Sequence, residues 1–221
     1  MPAKREFAVI GLGSFGGKVA ETLAFLGVPV VGVDKNRQRV DAFRGVITQP
    51  VRADVTDREQ FLALGLEGID IAVVSLGTDI EASVLATIFL REQGIKHITV
   101  KGISPEHKKI LRLMGATQVI FPEEEMAKRL AHSLLSPNIL DYIPLVPGYS
   151  IVELLAPPSF WEKSLLELNV RRAYGVEVLA IKSRGDKDIK VIPSALERIE
   201  EGDTLILLGK DEDIKTLREV R

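Results

Sequence analysis

The chain of 221 residues contains no cysteine. That single absence removes disulfides, thiolate nucleophiles, cysteine-based zinc sites and iron–sulfur clusters together. Histidine is nearly as scarce. His97, His107 and His132 are the only three, and none stands in a metal-ligating spacing such as H-x-x-E-H. His107 and His132 fall on predicted helices among charged neighbours, and His97 precedes a strand, so all three read as solvated surface residues. Charge of one sign is missing too. Lys+Arg number 29 and Asp+Glu 31, a formal net charge of -2, and the pI near 6.0 argues against a nucleic-acid polymer held by bulk positive charge. No stretch reaches the roughly 18 apolar residues of a membrane span. The richest, Ile69 to Leu76, is short and bracketed by Asp70 and Asp79. After Met1-Pro2-Ala3-Lys4-Arg5-Glu6 no apolar segment with a small-residue cleavage site follows, so no signal peptide is read. Contact with a membrane would then run through a partner.

What is present is ordinary globular material, 46% hydrophobic and 27% charged, enough to bury a core in one large or two small domains. The first half alternates short apolar runs with helical patterns. Strands are expected at Phe7–Ile10, Pro29–Val33, Val46–Val51, Ile69–Ser75, Ile98–Val100 and Gln118–Phe121. Helices are expected at Ser14–Leu26 (with Phe15, Val19, Leu23 and Leu26 on the packed face), from Asn36 through Phe43, and at Asp54–Leu64, Asp79–Glu92, Ser104–Met114 and Glu123–Leu135. Strands apolar throughout, each followed by a helix, imply an α/β Rossmann-like fold, a doubly wound parallel sheet.

The composition then shifts. Pro137, Pro144, Pro147, Pro157 and Pro158, with Gly148, crowd one stretch, and proline fixes φ and removes a donor. The expected organisation is a nucleotide-binding domain over residues 1–135, a linker or hinge over 136–149, and a smaller α+β domain over 150–221. The latter would have strands at Ile151–Leu155, Val176–Ile181, Ile189–Ile192 and Thr204–Leu208, a turn at Arg184-Gly185-Asp186, a short helix capped by Ser164 and a last helix at Glu212–Val220. Trp161 reads as a core or interface anchor.

One motif carries chemistry. Gly11-Leu12-Gly13-Ser14-Phe15-Gly16 is G-x-G-x-x-G, placed after a strand and opening a helix, with Asp34 closing the next strand. In that context it is a nucleotide-binding fingerprint. Gly11 allows the tight turn, Gly13 lets phosphates approach the backbone, and Gly16 lets the helix pack on the strand. The helix N-terminus offers N–H groups to phosphate. Asp34 can accept the adenosine ribose hydroxyls and disfavours a 2′-phosphate, with Lys35 and Arg37 nearby as opposing charge. Ala53 and Asp54 follow strand three, where the adenine ring lies. Ser75, Leu76, Gly77 and Thr78 follow strand four, where small residues let backbone approach the ligand, and Lys101 follows strand five, as a phosphate contact or a solvated lysine. Glu123, with Glu124 and Glu125, either complements a helix dipole or reaches the phosphates through a divalent cation. Arg171 and Arg172 are either a solvated pair or an anion contact. No histidine follows Ser136 to serve hydride chemistry, so a dehydrogenase or reductase is the weaker reading.

These residues resemble the regulators of conductance of K⁺ (RCK), the cytosolic subunits of Ktr and Trk potassium transporters. The resemblance rests on Val9 to Gly17, Val33-Asp34, Ala53-Asp54 and Val119 to Glu123 in the first half. In the second it rests on Ser150 to Leu154, Ser164 to Arg171, Tyr174 to Val176, Ala180 to Lys182 and Glu201 to Leu205. It implies regulation and not catalysis. It implies ATP or ADP (NAD/NADH in the Trk branch) bound by Gly11, Gly13, Ser14, Phe15, Gly16, Asp34, Lys35, Ala53, Asp54, Ser75, Leu76, Gly77 and Lys101. Glu123 would contact Mg²⁺ or Ca²⁺ at the phosphates. Cyclic di-AMP would bind the second domain near Asn169, Arg171 and Pro193. The chain would assemble as homodimers within an octameric ring, cytoplasmic and peripheral on the inner face of the membrane, docked on a membrane-embedded potassium-translocating subunit. Ser14 stands where many members carry arginine, which leaves phosphate charge to Lys18 or Lys101.

Overall fold

A computed structural model describes residues 5–134, 139–185 and 188–218. The chain divides into two compact units, residues 1–122 and 123–221.

The first unit is built on six parallel strands: β1 (Phe7–Ile10), β2 (Val30–Asp34), β3 (Gln49–Arg52), β4 (Ile71–Val74), β5 (His97–Lys101) and β6 (Gln118–Ile120). Their order in the sheet is β3-β2-β1-β4-β5-β6, and all the pairings are parallel. Between them run α1 (Ser14–Phe25), α2 (Arg37–Ala42), α3 (Arg58–Leu62), α4 (Ile80–Glu92) and α5 (Pro105–Met114). The doubly wound expectation holds, and its cause is visible in the burial. Ala8, Ile10, Val33, Val74 and Val100 pack into one core layer. Val9, Leu12, Val30 and Val73 pack with Ala20 of α1 into another. Both faces of the sheet are covered, so its strands read apolar at every position.

Helix starts follow the expected chemistry. Asn36 accepts from Gln38 N and Arg39 N, Asp79 from Ala82 N and Ser104 from His107 N, each satisfying otherwise unpaired first-turn donors.

Some expectations need correction. The α3 helix begins at Arg58 and not at Asp54, because Asp57 is its N-cap and Asp54 is occupied in a turn with Thr56. β3 begins at Gln49; Val46 is exposed, and Ile47 is buried beyond the strand, against the first sheet. Val19 and Leu23 pack on the core as expected, beside the buried Gly16, Gly17 and Ala20, but Leu26 lies past the end of α1 and is exposed. His107 is not solvated but 2% exposed. Ser83 Oγ donates to Ile80 O at 2.8 Å, so the 2.9 Å contact between that oxygen and His107 Nε2 makes the ring nitrogen the donor. Burial pushes the imidazole pKa down, in keeping with a neutral ring.

The second unit holds α6 (Pro122–Leu134), which begins at the boundary, and a five-stranded sheet of order β10-β9-β11-β8-β7. Its strands are β7 (Ile139–Val146), β8 (Tyr149–Leu155), β9 (Glu177–Lys182), β10 (Ile189–Val191) and β11 (Thr204–Lys210), all paired antiparallel. The helices α7 (Leu165–Leu168), α8 (Val170–Tyr174) and α9 (Asp211–Arg218) complete it. Val152, Leu154, Leu205, Leu207, Ile214 and Leu217 fill its core with Phe160. Trp161 packs against that core and donates from Nε1 to Ala156 O at 3.2 Å.

Two boundaries differ from expectation here. Residues 139–146, expected within a linker, form β7, hairpinned to β8 around Gly148 at φ 83. Pro144 is accommodated beside a register shift, where the ladder needs no donor from it. The α6 helix, expected in the first domain, groups with the second unit. Arg129 of α6 holds Asp141 of β7 with two guanidinium contacts, one of them Nε to Oδ1 at 2.6 Å. Residue 135 at the end of the expected first domain, residues 136, 137 and 138 of the expected linker, and Asp186 of the expected turn lie outside the described residues.

Candidate functional site

The carboxyl ends of β1, β2 and β4 converge where the sheet order reverses between β1 and β4, the place at which open α/β sheets bind ligands. Gly11 turns there at φ 96 and is pressed against β4: a Cβ would lie 2.1 Å from Ser75 O. Gly11 N donates to Val33 O and Ser75 N to Ile10 O, both at 2.7 Å. A Cβ on Gly16 would lie 2.0 Å from Gly11 O, so this glycine lets α1 seat on the turn. Gly13 differs. A Cβ there would meet only Arg39 Nη1, at 3.6 Å. Nothing within the fold demands that glycine, and its bare face is turned to open space. Gly13 is also the N-cap of α1 and gives it no side-chain cap, so the first-turn N–H groups face the same space with a partial positive charge.

That space is a cavity of about 330 Å³. Of the expected ligand contacts, Gly11, Gly13, Ser14, Phe15, Asp34, Lys35, Ala53, Asp54, Ser75, Leu76, Gly77 and Lys101 all line it. Gly16 does not, and acts through packing. Thr78 lines it as well, and so do residues that the sequence did not point to as ligand contacts, among them the charged Arg39 and Asp79 and the apolar Val55 and Ala82. In the sequence Asp79 stands out only as the first residue of a helix, and Arg39 is one of several cations on α2. Neither Arg37 nor Lys18 lines the cavity. Arg37 pairs with Asp41 and Lys18 with Glu21, both on exposed surface.

Asp34 is 6% exposed and structurally committed. Its Oδ2 accepts from Leu12 N at 2.8 Å, reaching back 22 residues to the glycine turn. Its Oδ1 accepts from Asn36 N at 2.8 Å. Arg39 Nη1 approaches Oδ2 at 3.4 Å. Asp54 accepts from Thr56 through both the hydroxyl (2.7 Å) and the backbone N–H (3.0 Å). Those two bonds, the hydroxyl first, hold its carboxyl below the ordinary carboxylate range. Lys35 and Asp79 meet across the mouth at 3.9 Å. The charged lining is therefore mixed, with Asp34, Asp54 and Asp79 against Lys35, Arg39 and Lys101.

The remaining expected residues lie in the second unit. Glu123 is exposed in the first turn of α6. Among the described residues no group of three or more His, Asp or Glu side chains is placed to hold a metal. Asn169 sits between α7 and α8 at φ 45. Arg171 pairs with Glu177 at 3.1 Å, and Pro193 is half-buried.

Comparison with known proteins assigns both units. Residues 7–122 match the TrkA-N domain and residues 150–220 the TrkA-C domain. The chain is a member of the RCK family. It is 41% identical over 211 residues to the Ktr system potassium uptake proteins C and A of Bacillus subtilis (strain 168), covering 96% of this chain and 95% and 94% of those proteins. In fold it is similar to the GsuK RCK domain, at a TM-score of 0.53 and 22% identity, covering 97% of this chain and 46% of that one. The cavity thus belongs to the TrkA-N domain of an RCK chain, and the second sheet to its TrkA-C domain. Among the described residues no helix is long and apolar enough to cross a membrane.

Proposed function

We propose that this chain is the nucleotide-gated cytosolic regulatory subunit of a Ktr-type potassium uptake system and not an enzyme. The observation that carries the reading is the cavity at the β1–β4 reversal, in a chain similar along nearly its whole length to two Ktr potassium uptake proteins. The glycine turn and the open N-terminus of α1 take the phosphates. Asp34 takes the ribose, and the adenine lies toward Ala53 and Asp54. ATP or ADP is put ahead of NAD or NADH because the chain is 41% identical to Ktr potassium uptake proteins along nearly their whole length.

In this reading the chain forms dimers within a ring, on the cytoplasmic face of a membrane-embedded potassium-translocating subunit. ATP and ADP bias it toward different shapes. A ligand shifts such an equilibrium only by its differential affinity for the two states, about tenfold per 1.4 kcal/mol. Glu123 would meet the phosphates through Mg²⁺ or Ca²⁺, and cyclic di-AMP would bind near Asn169, Arg171 and Pro193.

Calorimetric titration of the purified chain with ATP, ADP, NAD and NADH tests the ligand, and its native mass tests the ring. We expect tightest binding of ATP or ADP. Asp34→Ala should weaken it at least tenfold, with circular dichroism checking the fold, since Leu12 N and Asn36 N lose their acceptor in this variant. Unchanged affinity would place the ribose elsewhere. Tightest binding of NADH would move the protein to the Trk-like branch, and turnover of a carbonyl substrate with NADPH would sink the regulator reading.

A further inference from the structure

We infer that Arg39 contacts the ribose edge of the bound nucleotide and makes this site tolerant of an anionic substituent at the ribose 2′ position. The inference rests on the nucleotide reading above and adds a specificity-determining residue to it.

A carboxylate at the end of the second strand, taken alone, repels a 2′-phosphate. Asp34 is not alone. Its Oδ2 accepts from Leu12 N and faces Arg39 Nη1, and its Oδ1 accepts from Asn36 N. With two lone pairs on each oxygen, Oδ2 is filled and one acceptor position remains, on Oδ1. While the pair stands, Asp34 can receive one ribose hydroxyl and not both. The other ribose oxygen is met by the guanidinium beside it, which only donates.

Arg39 is well placed for that role. Its Nη1 lies 3.6 Å from where a Cβ on Gly13 would stand, so the guanidinium spans from the carboxylate to the open face of the glycine turn. It lines the cavity with Lys35. Its side chain keeps 54% exposure, and its contact with Asp34 is long for a hydrogen bond. Arg52 adds a third cation in the adjoining pocket, beside Lys35 and Gln60, and its Nε donates to Lys35 O. The ribose edge therefore sets Lys35, Arg39 and Arg52 against Asp34, Asp54 and Asp79, with Lys35 drawn toward Asp79 at 3.9 Å and Arg39 the cation nearest Asp34. A planar guanidinium suits a phosphate through paired N–H donors.

The test compares ADP with 2′-phospho-ADP, which differ by the 2′-phosphate alone, by calorimetry on the full chain. The wild-type chain should bind the two within about threefold of each other. In Arg39→Gln the ratio of the two dissociation constants should shift about tenfold against the 2′-phosphorylated ligand, the size expected for losing a charge-assisted hydrogen bond, and Arg39→Lys should recover part of it. Arg37→Gln, on the same helix but outside the cavity, should leave the ratio where it was. Rejection of the 2′-phosphate by the wild type, or an unchanged ratio in Arg39→Gln, overturns the inference while leaving the nucleotide site standing. Absence of any ADP binding by the wild type overturns both.

Discussion

The two units differ in what their tightest glycines meet. In the first, Gly11 and Gly16 sit where backbone meets backbone: a Cβ would fall 2.1 Å from Ser75 O and 2.0 Å from Gly11 O, while the next tightest, Gly32 of β2, would meet the Ile47 side chain. In the second unit the tight neighbours are side chains, Asp213 at Gly175, Arg184 at Gly202 and Val176 at Gly209. At Gly148, the hairpin between β7 and β8, there is open space. Side chains can rotate away and backbone cannot. The first unit thus holds its ligand-facing turn by contacts that tolerate no substitution. The second is held by the register of its antiparallel strands and by its own buried core.

The sharpest break of that contrast is Gly11→Ala against Gly148→Ala. Both glycines have positive φ, 96 and 83, so both variants bear the cost of a left-handed alanine, roughly 1 kcal/mol. Gly11→Ala adds a clash with backbone and should lose about 3 kcal/mol or more, read as a lowered urea midpoint with loss of ADP binding. Equal losses in the two variants would erase the distinction.

Next in size, Leu205→Ala empties a fully buried position in the second core and should cost about 2–5 kcal/mol. If each unit keeps its own core, ADP affinity in the folded variant should stay within about threefold of wild type by calorimetry. A large loss would show that the sites and cores are not separable.

The smallest effect concerns acid. The Arg129 guanidinium, first by hydrogen bonding, holds the Asp141 carboxyl below its ordinary range. A depressed carboxylate contributes stability that is present above its unfolded pKa, near 3.9, and is lost as pH falls through the lower folded value. The pair is partly exposed, at 40% and 29%, so its worth should not exceed about 1 kcal/mol. Asp141→Asn should flatten the pH dependence of the thermal midpoint of the second unit below about pH 4. An unchanged slope would mean that other carboxylates dominate it.

Legibility in the sequence also divides along this line. In the first unit the strands, the cap Asn36, the helix starts at Asp79 and Ser104 and the cavity residues at the strand ends were readable, because local chemistry and tertiary role coincide there. Arg39 was not, since its meaning comes from a guanidinium reaching Asp34 across a helix turn, and α2 carries other cations of the same kind. His107 was misread because its charged helix neighbours point to solvent while its own position faces Ser83 of α4. In the second unit the cap Ser164 was readable, and the structure adds Glu167 to it as a capping box. The strand β7 was hidden by its prolines, since the pairing that forms it is with β8 and no local signal reports it.

One further consequence follows from how β1 sits. Its partner β4 lies far along the chain, Phe7 opposite Ile71, and the turn that would hold phosphate is fastened by Ser75 N to Ile10 O. The glycine motif is contiguous in sequence, yet the crevice is not a local object. It comes into being only after a long loop closes, and such non-local contacts form slowly. During synthesis the motif would leave the ribosome well before its far wall does. A nucleotide that fits the finished crevice has nothing to bind until then, so its arrival would mark completion of the fold and, by mass action, hold the chain there.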